Sequence, residues 1–444
     1  MAFSRRETGI LLAGDFLFLV GALWFSLVIR NIALPQPDYF LNNAVPFIPI
    51  FFFSLAVFYI AGLYEKPTRP NRHVMGERII GAQIANTILA AVFFFVLPLS
   101  IAPKTILALY LVVSVVIITA WRFYALSHFA PRGKIATVLV GTGTAVEEVA
   151  EELSENDRYT VRMVSKIDTA THSSKEITEE VSKYIRLGAG IIIIDTLDRA
   201  VTDVLPALYE EMLTGTMFIT FEEFYEELFD RVPLAHVDYS WLLDCLPRQH
   251  LLADATKRFI DIIGALIGGV LALAFIAPSA VILTITGGRP FIFHERIGRN
   301  GKTFRIIKMR TMLLDDHGDP KLQAKNRITR IGGFLRKTRI DELPQLWNVF
   351  VGELSFIGPR PELPRIATTY EKEIPYYHAR HLIKPGLSGW AQIRDYDAPR
   401  GGADVEKTRS KLSYDLYYLK HRSFGLDLAI ALKTLRALAS FSGS

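Results

Sequence analysis

The stretch KRFIDIIGALIGGVLALAFIAPSAVILTITGGR, residues 257–289, opens on two cations, closes on a third and holds one other charge, Asp261. Its uncharged part, Phe259 to Gly288, would measure ~45 Å as a straight helix, enough to cross a bilayer. Two features oppose a simple crossing. Pro278 removes a backbone donor and clashes with the turn before it, so the helix is expected to bend or break around Ala277. Arg289, Arg296, Arg299, Lys302, Arg305, Lys308 and Arg310 then follow, so both flanks are strongly positive and both are expected to stay inside. The expected geometry is a re-entrant hairpin over residues 259–288 that enters the membrane and returns, with its break at Pro278.

Outward from this stretch the 444 residues divide into three blocks by charge: +5 over residues 1–133, −13 over 134–247 and +13 over 248–444. A mean hydropathy of +0.25 with long apolar runs excludes a disordered or simple soluble chain. The single cysteine, Cys245, excludes a disulfide framework, a zinc-finger set and a cysteine-ligated iron–sulfur cluster.

The first block carries four apolar stretches, Ile10–Ile29, Pro46–Tyr64, Ile79–Ile101 and Thr105–Trp121, each near the ~20 residues a crossing helix needs. Arg5 and Arg6 before the first, and Lys66, Arg69, Arg72 and Arg78 between the second and third, place both ends of this bundle on the cytoplasmic side. The first stretch is too long for a signal-peptide core and is expected to remain as an anchor. Asp15 lies inside it. A proton path is one reading; a carboxylate facing the bundle and bonding a neighbour is preferred, because no basic partner is evident at that depth.

In the second block, strand-like runs at Ile135–Val140, Tyr159–Ile167, Ile191–Ile194 and Met217–Phe221 alternate with apolar-periodic segments, which predicts a parallel, doubly wound α/β domain. The turn Gly141-Thr142-Gly143-Thr144-Ala145-Val146 sits where a dinucleotide fingerprint would sit. Val146 replaces its third glycine, and no acidic residue is evident at the end of the second strand to hold a ribose. A tight structural turn is therefore preferred over a nucleotide pocket. The acidic runs Glu147–Asp157 and Glu222–Asp230 argue against a nucleic-acid partner and suit contact with the basic third block.

The third block holds Arg336-Lys337-Thr338-Arg339-Ile340-Asp341-Glu342-Leu343-Pro344-Gln345-Leu346-Trp347-Asn348 and Gly358-Pro359-Arg360-Pro361-Glu362. Pro344 and the apolar spacing after it place Asp341 and Glu342 at a helix start. Neighbouring cations hold a carboxylate ionised, and such a carboxylate beside a phosphate-binding surface can attack phosphorus or hold Mg²⁺.

Together with Lys308-Met309-Arg310-Thr311-Met312 and Lys384-Pro385-Gly386-Leu387-Ser388-Gly389-Trp390-Ala391-Gln392, these motifs make the chain from about Lys257 onward resemble the bacterial sugar transferases. These are monotopic polyprenyl-phosphate hexose-1-phosphate transferases that begin exopolysaccharide, capsule and O-antigen assembly. The first two blocks resemble the N-terminal extension of the large members. The resemblance implies a membrane bundle of four transmembrane helices, a Rossmann-like α/β domain and a mostly α-helical monotopic catalytic domain with a re-entrant hairpin, on the cytoplasmic face of the bacterial inner membrane. Ala277 departs from the family, several members of which have Ser before the proline.

The implied reaction moves a hexose 1-phosphate from a UDP-hexose to undecaprenyl phosphate with Mg²⁺. Asp341 becomes the nucleophile that releases UMP, and Glu342, with Asp341, the metal ligand. Lys308, Arg310, Arg339 and Arg360 become the cations around the phosphates. Inner-membrane lipid is the implied surroundings, a homodimer is open, and the sugar is not fixed by the motifs. Lys384 to Gln392 is a turn by composition and active-site lining only by resemblance, and Leu426–Leu438 is an amphipathic segment suited to the membrane surface.

Two other classes share the outline. Membrane-bound NAD-dependent nucleotide-sugar dehydratases need a Tyr-x-x-x-Lys pair, yet none of the 17 tyrosines has a Lys four residues on. A non-enzymatic polysaccharide assembly regulator would leave Asp341, Glu342 and their cations unexplained.

Overall fold

The computed structural model describes residues 2–64, 72–96, 104–129, 134–156, 159, 161–213, 215–245, 251–286, 288–312, 327–394 and 404–439. Lys66 and Arg69 lie outside them. Contacts divide the chain into two units, Met1–Thr220 and Phe221–Ser444.

The first unit begins with α1 (Ala2–Asn31), α2 (Pro37–Ile60), α3 (Arg72–Val96) and α4 (Lys104–Phe129). Three of these are long and apolar enough to cross a membrane, and α3 adds a shorter apolar stretch, Arg78–Phe94. Leu19, Leu23, Leu27, Phe47, Phe51 and Tyr110 form their common core. Asp15 does face the bundle, but it has a basic partner after all. Arg122, one residue beyond the expected end of the fourth stretch, donates from Nε to Asp15 at 3.1 Å and from Nη1 to the Leu63 carbonyl at 2.8 Å, and Tyr64 donates to the same carboxylate at 2.5 Å. Packing of α1 against α4 brings the two charges, far apart in sequence, to one depth, which a reading of each helix alone misses.

The α/β part runs β1 (Ile135–Val140), α5 (Thr144–Glu155), β2 (Val161–Ile167), α6 (Ser174–Arg186), β3 (Ile191–Ile194), α7 (Arg199–Val204), α8 (Tyr209–Met212) and β4 (Met217–Thr220). Its sheet has the order β2-β1-β3-β4, all parallel, as the alternation predicts. Val146 is fully buried where a third glycine would stand. One expectation is corrected: Asp168 follows β2 directly, where an acidic residue was not evident. Its carboxylate accepts from the Ala170 amide at 3.0 Å and bonds Thr142 of the glycine turn, and these bonds hold its pKa below the usual carboxylate range.

The second unit comprises α9 (Phe221–Phe229), α10 (Tyr239–Cys245), α11 (Leu251–Ile285), β5 (Phe291–Ile297), β6 (Thr303–Met309), α12 (Arg330–Lys337), a 3-10 helix (Ile340–Gln345), α13 (Leu346–Val351), β7 (Ser355–Ile357), α14 (Pro364–Glu373), β8 (Gly386–Ser388), α15 (Trp390–Arg394), α16 (Val405–His421) and α17 (Phe424–Ala439). β5 and β6 pair antiparallel; β7 and β8 pair parallel. The acidic run expected to close the α/β block packs instead on the basic block, as its charge suggested. Glu226 takes Lys420 and His421 at 2.7 Å each, and Asp230 pairs with Arg394.

The hairpin expectation needs a correction in its secondary structure. α11 is one helical element with Pro278 inside it, not two helices. A proline removes one hydrogen bond and crowds the preceding turn, which bends a helix without having to end it. One face of α11 follows the domain along its length. Arg258 donates to the carbonyls of Val349 and Phe350 at 2.6 Å, Asp261 accepts from Ser355 Oγ and the Phe356 amide, Ala265 packs on Val349 and Leu354, and Leu283 packs on Met309 and Leu335. Phe259, Ile263, Leu266, Val270, Leu273 and Ile282 are exposed.

Candidate functional site

Three local features carry Asp341 and Glu342 inward. Thr329 caps α12 by accepting from the Gly332 amide, and Arg336 near the end of that helix donates to Thr311 Oγ1 at 2.9 Å. Arg339 then adopts a left-handed backbone, φ 58°, which costs a non-glycine residue roughly 1–3 kcal/mol and turns the chain into the 3-10 helix. Asn348 ties that segment to β6: its side chain accepts from the Ile307 amide and donates to the Arg305 carbonyl and to Glu353. The acid pair therefore starts a 3-10 helix rather than an α-helix.

The two carboxyl groups have opposite environments. Glu342 Oε1 accepts from Lys308 Nζ at 2.8 Å with Arg360 at 3.8 Å, and Oε2 faces Arg339 at 3.5 Å. Burial pushes Glu342 up, but Lys308, Arg360 and Arg339 together outweigh it and bring its pKa down to about 2. Asp341 is 8% exposed, and its Oδ1 is buried without a hydrogen-bond partner among the described residues. Burial and the adjacent Glu342 charge push it up to about 6, against Lys308, Arg336 and Arg339. One acid is fixed as an anion by its cations; the other is a desolvated carboxyl with an unpartnered oxygen, and it still ionises at neutral pH.

The Gly358–Glu362 turn presents Arg360 and is held rigidly. A Cβ on Gly358 would lie 2.4 Å from the Lys384 carbonyl, and one on Gly386 2.1 Å from the Gly358 amide, so the two motifs touch backbone to backbone. Arg380, buried, donates to the Arg360 carbonyl at 3.1 Å and to Tyr377 at 2.7 Å, and pairs with Asp415 at 2.7 Å and Glu362 at 3.7 Å. Sequence reasoning missed Arg380 and Asp415, which lie outside every motif; an arginine in an otherwise apolar and aromatic stretch was the available signal. It also missed Arg296, whose pKa burial lowers and which stands within electrostatic reach of Glu362, Arg360 and Glu342.

Of the predicted site residues, the structure brings Asp341, Glu342, Lys308, Arg339 and Arg360 together. Arg310 instead donates to the Leu283 carbonyl at 3.0 Å, near the end of α11. Pro278 lies within α11, between Ile276 and Ala280, which pack in one cluster with Ile340. In the Lys384–Gln392 run, Trp390 is core: its indole donates to the Asp230 carbonyl and it stacks on Tyr417.

Fold and site together define a membrane-associated protein whose second unit holds one unpartnered and one cation-locked carboxylate side by side, an arrangement suited to phosphate chemistry. Residues 252–440 match the family profile described as bacterial sugar transferase, and residues 59–201 match a CoA-binding domain profile. A UDP-N-acetylgalactosamine-undecaprenyl-phosphate N-acetylgalactosaminephosphotransferase of Aeromonas hydrophila is 38% identical over 223 residues, 49% of this chain and 51% of that protein. A UDP-glucose:undecaprenyl-phosphate glucose-1-phosphate transferase of Caulobacter vibrioides is 36% identical over 197 residues, 43% of this chain and 73% of that protein. A putative undecaprenyl-phosphate N-acetylgalactosaminyl 1-phosphate transferase of Bacillus subtilis is 43% identical over 155 residues, 34% of this chain and 83% of that protein. The match thus spans about half the length of the Aeromonas relative. The chain belongs to the bacterial sugar transferase family.

Proposed function

We propose that the protein transfers a sugar 1-phosphate from a UDP-sugar to undecaprenyl phosphate on the cytoplasmic face of the bacterial inner membrane, starting a cell-surface polysaccharide. The observation that carries this reading is the buried, unpartnered Oδ1 of Asp341 beside a Glu342 locked by Lys308 and Arg360. In the first step a carboxylate oxygen of Asp341 attacks the phosphorus bearing the sugar. The bond from that phosphorus to the bridging oxygen breaks, its electron pair leaves with UMP, and an acyl phosphate remains. In the second step an oxygen of undecaprenyl phosphate attacks the same phosphorus and Asp341 departs as carboxylate. The sugar C1–O bond is never cut, so anomeric configuration is retained. Lys308, Arg339 and Arg360, already gathered around Glu342, neutralise the phosphates that must approach a carboxylate. Arg310 supports the end of α11.

Mg²⁺ suits the site by its donors: oxygen ligands from one or two carboxylates, with substrate phosphates completing the shell. Asp341 Oδ1 is the unpartnered donor, and among the described residues Glu342 Oε2 has the 3.5 Å contact to Arg339. When bound, the ion would lower the charge on the diphosphate and stabilise the leaving group.

The contacts of α11 support a monotopic arrangement, because a helix pinned near both ends to one polar domain does not separate two aqueous faces. The test is a panel of UDP-sugars with the purified protein, undecaprenyl phosphate and Mg²⁺, reading released UMP. Release with at least one sugar, dependent on lipid for steady turnover, is expected; no release with any of them would refute the reading.

A further inference from the structure

A cavity of about 220 Å³ opens at the start of α11, and neither Asp341, Glu342, Lys308 nor Arg360 lines it. Its wall carries five cations against two carboxylates. Most of that charge is committed. Lys257 pairs with Asp427 at 2.5 Å and Arg422 with Asp254 at 2.5 Å, Arg258 is bonded to two carbonyls, and Asp261 Oδ1 is taken up by Ser355 and Phe356. Lys384 and Arg299 remain: among the described residues, neither side chain has a hydrogen bond or an ion pair.

Lys384 is half-buried, and burial together with the Arg258 guanidinium holds its pKa below the usual lysine range, with Arg299 adding to the effect and Asp261 and Asp254 opposing it. Two cations that converge on a cavity, repel one another and have no direct ion-pair partner among the described residues, with five cations against two carboxylates in the wall, leave a positive excess that an anion offsets. The volume suits a phosphate or diphosphate head and is small for a whole nucleotide sugar. The position suits a membrane surface: the exposed apolar face of α11 begins at Phe259, next to Arg258, and that of α17 at Phe424.

We propose that this cavity is a second anion site, in which Lys384 and Arg299 bind the phosphate head of an anionic membrane lipid or a free phosphate, apart from the Asp341 centre. The site goes beyond the transfer reaction and stands whether or not that reaction is correct.

The full-length protein is placed in phosphatidylcholine nanodiscs, with or without phosphatidylglycerol, and retained lipid is read by native mass spectrometry. In phosphatidylcholine alone, inorganic phosphate and pyrophosphate are titrated against the thermal midpoint. Lys384→Gln with Arg299→Gln is compared with Lys372→Gln with Arg365→Gln, which removes the same charge from exposed positions on α14. Lys384→Arg keeps the cation. Loss of a charge-assisted bond predicts affinity about tenfold weaker for each cation removed, with binding kept in Lys384→Arg and in the α14 control. Retained phosphatidylglycerol identifies a lipid source; a midpoint raised by phosphate identifies a free one. Cooperative unfolding of the double variant without phosphate shows that it folds. Equal binding by wild type and the Lys384/Arg299 double variant, or equal losses in the α14 control, would overturn the site, as would no binding of either probe to the wild type.

Discussion

Asp341 and Glu342 are neighbours in sequence with opposite electrostatics, and the difference makes a pH prediction. With Asp341 at about 6 and Glu342 at about 2, the proposed nucleophile is the group that titrates near neutrality. Its raised pKa means that the Asp341 anion is present above pH 6 and lost below it. kcat/KM for the UDP-sugar should therefore fall about tenfold per pH unit below ~6, with no separate limb from Glu342 above pH 4. Replacing Lys308 by Met removes the main cation from Glu342 and should move that limb upward; a profile identical to wild type would count against this assignment. Arg380 acts through the Arg360 carbonyl and is a positioning residue. Asp415→Leu takes the nearer carboxylate from a buried guanidinium, leaving Glu362 at 3.7 Å, and should cost about 2–3 kcal/mol, read as a lower midpoint in thermal unfolding. The acid pair and its nearest cations were legible because they crowd into short motifs. Arg122, Arg380 and Asp415 were not, since each gains its meaning from a partner brought in by tertiary packing, whereas Asp168, directly after the predicted second strand, was readable and overlooked.

At the scale of elements, the contact of the Gly358 turn with β8 decides whether Arg360 reaches Glu342. Gly386→Ala would force a methyl against the Gly358 backbone, which has no flexible end to move aside. It should destabilise the domain by about 1–3 kcal/mol and reduce turnover more than Arg360→Lys, which keeps the backbone. α11 offers the second case. Its apolar run and positive flanks were readable, but its secondary structure was not, because a proline's effect on a buried-face helix depends on what the other face packs against. Pro278→Ala restores one backbone donor and should reduce turnover by shifting Leu283 and, through its carbonyl, Arg310. Unchanged turnover would make the proline irrelevant to the site.

At the scale of the whole molecule, the parallel sheet and the four-helix bundle followed directly from hydropathy and strand spacing, while the boundary between units did not. Glu226 and Asp230 bond to Lys420, His421 and Arg394, so the second unit begins near residue 221. Removing residues 134–220 should leave transfer measurable, whereas removing 134–247 should also destabilise the second unit; strict dependence of transfer on added NAD would contradict the reading of the Gly141–Val146 turn as structural. For topology, Gly318→Cys in a Cys245→Ser background should stay unlabelled by an impermeant thiol reagent applied to intact cells. The central claim is that the open carboxylate of Asp341 becomes covalently bonded to the phospho-sugar. Purified protein should be mixed with a turned-over UDP-sugar and Mg²⁺, without lipid acceptor, and both UMP and intact protein mass followed. The account predicts a stoichiometric burst of UMP with a mass increase of one sugar phosphate, both absent in Asp341→Asn; no burst and an unchanged mass, in a preparation that turns over once undecaprenyl phosphate is added, would contradict it.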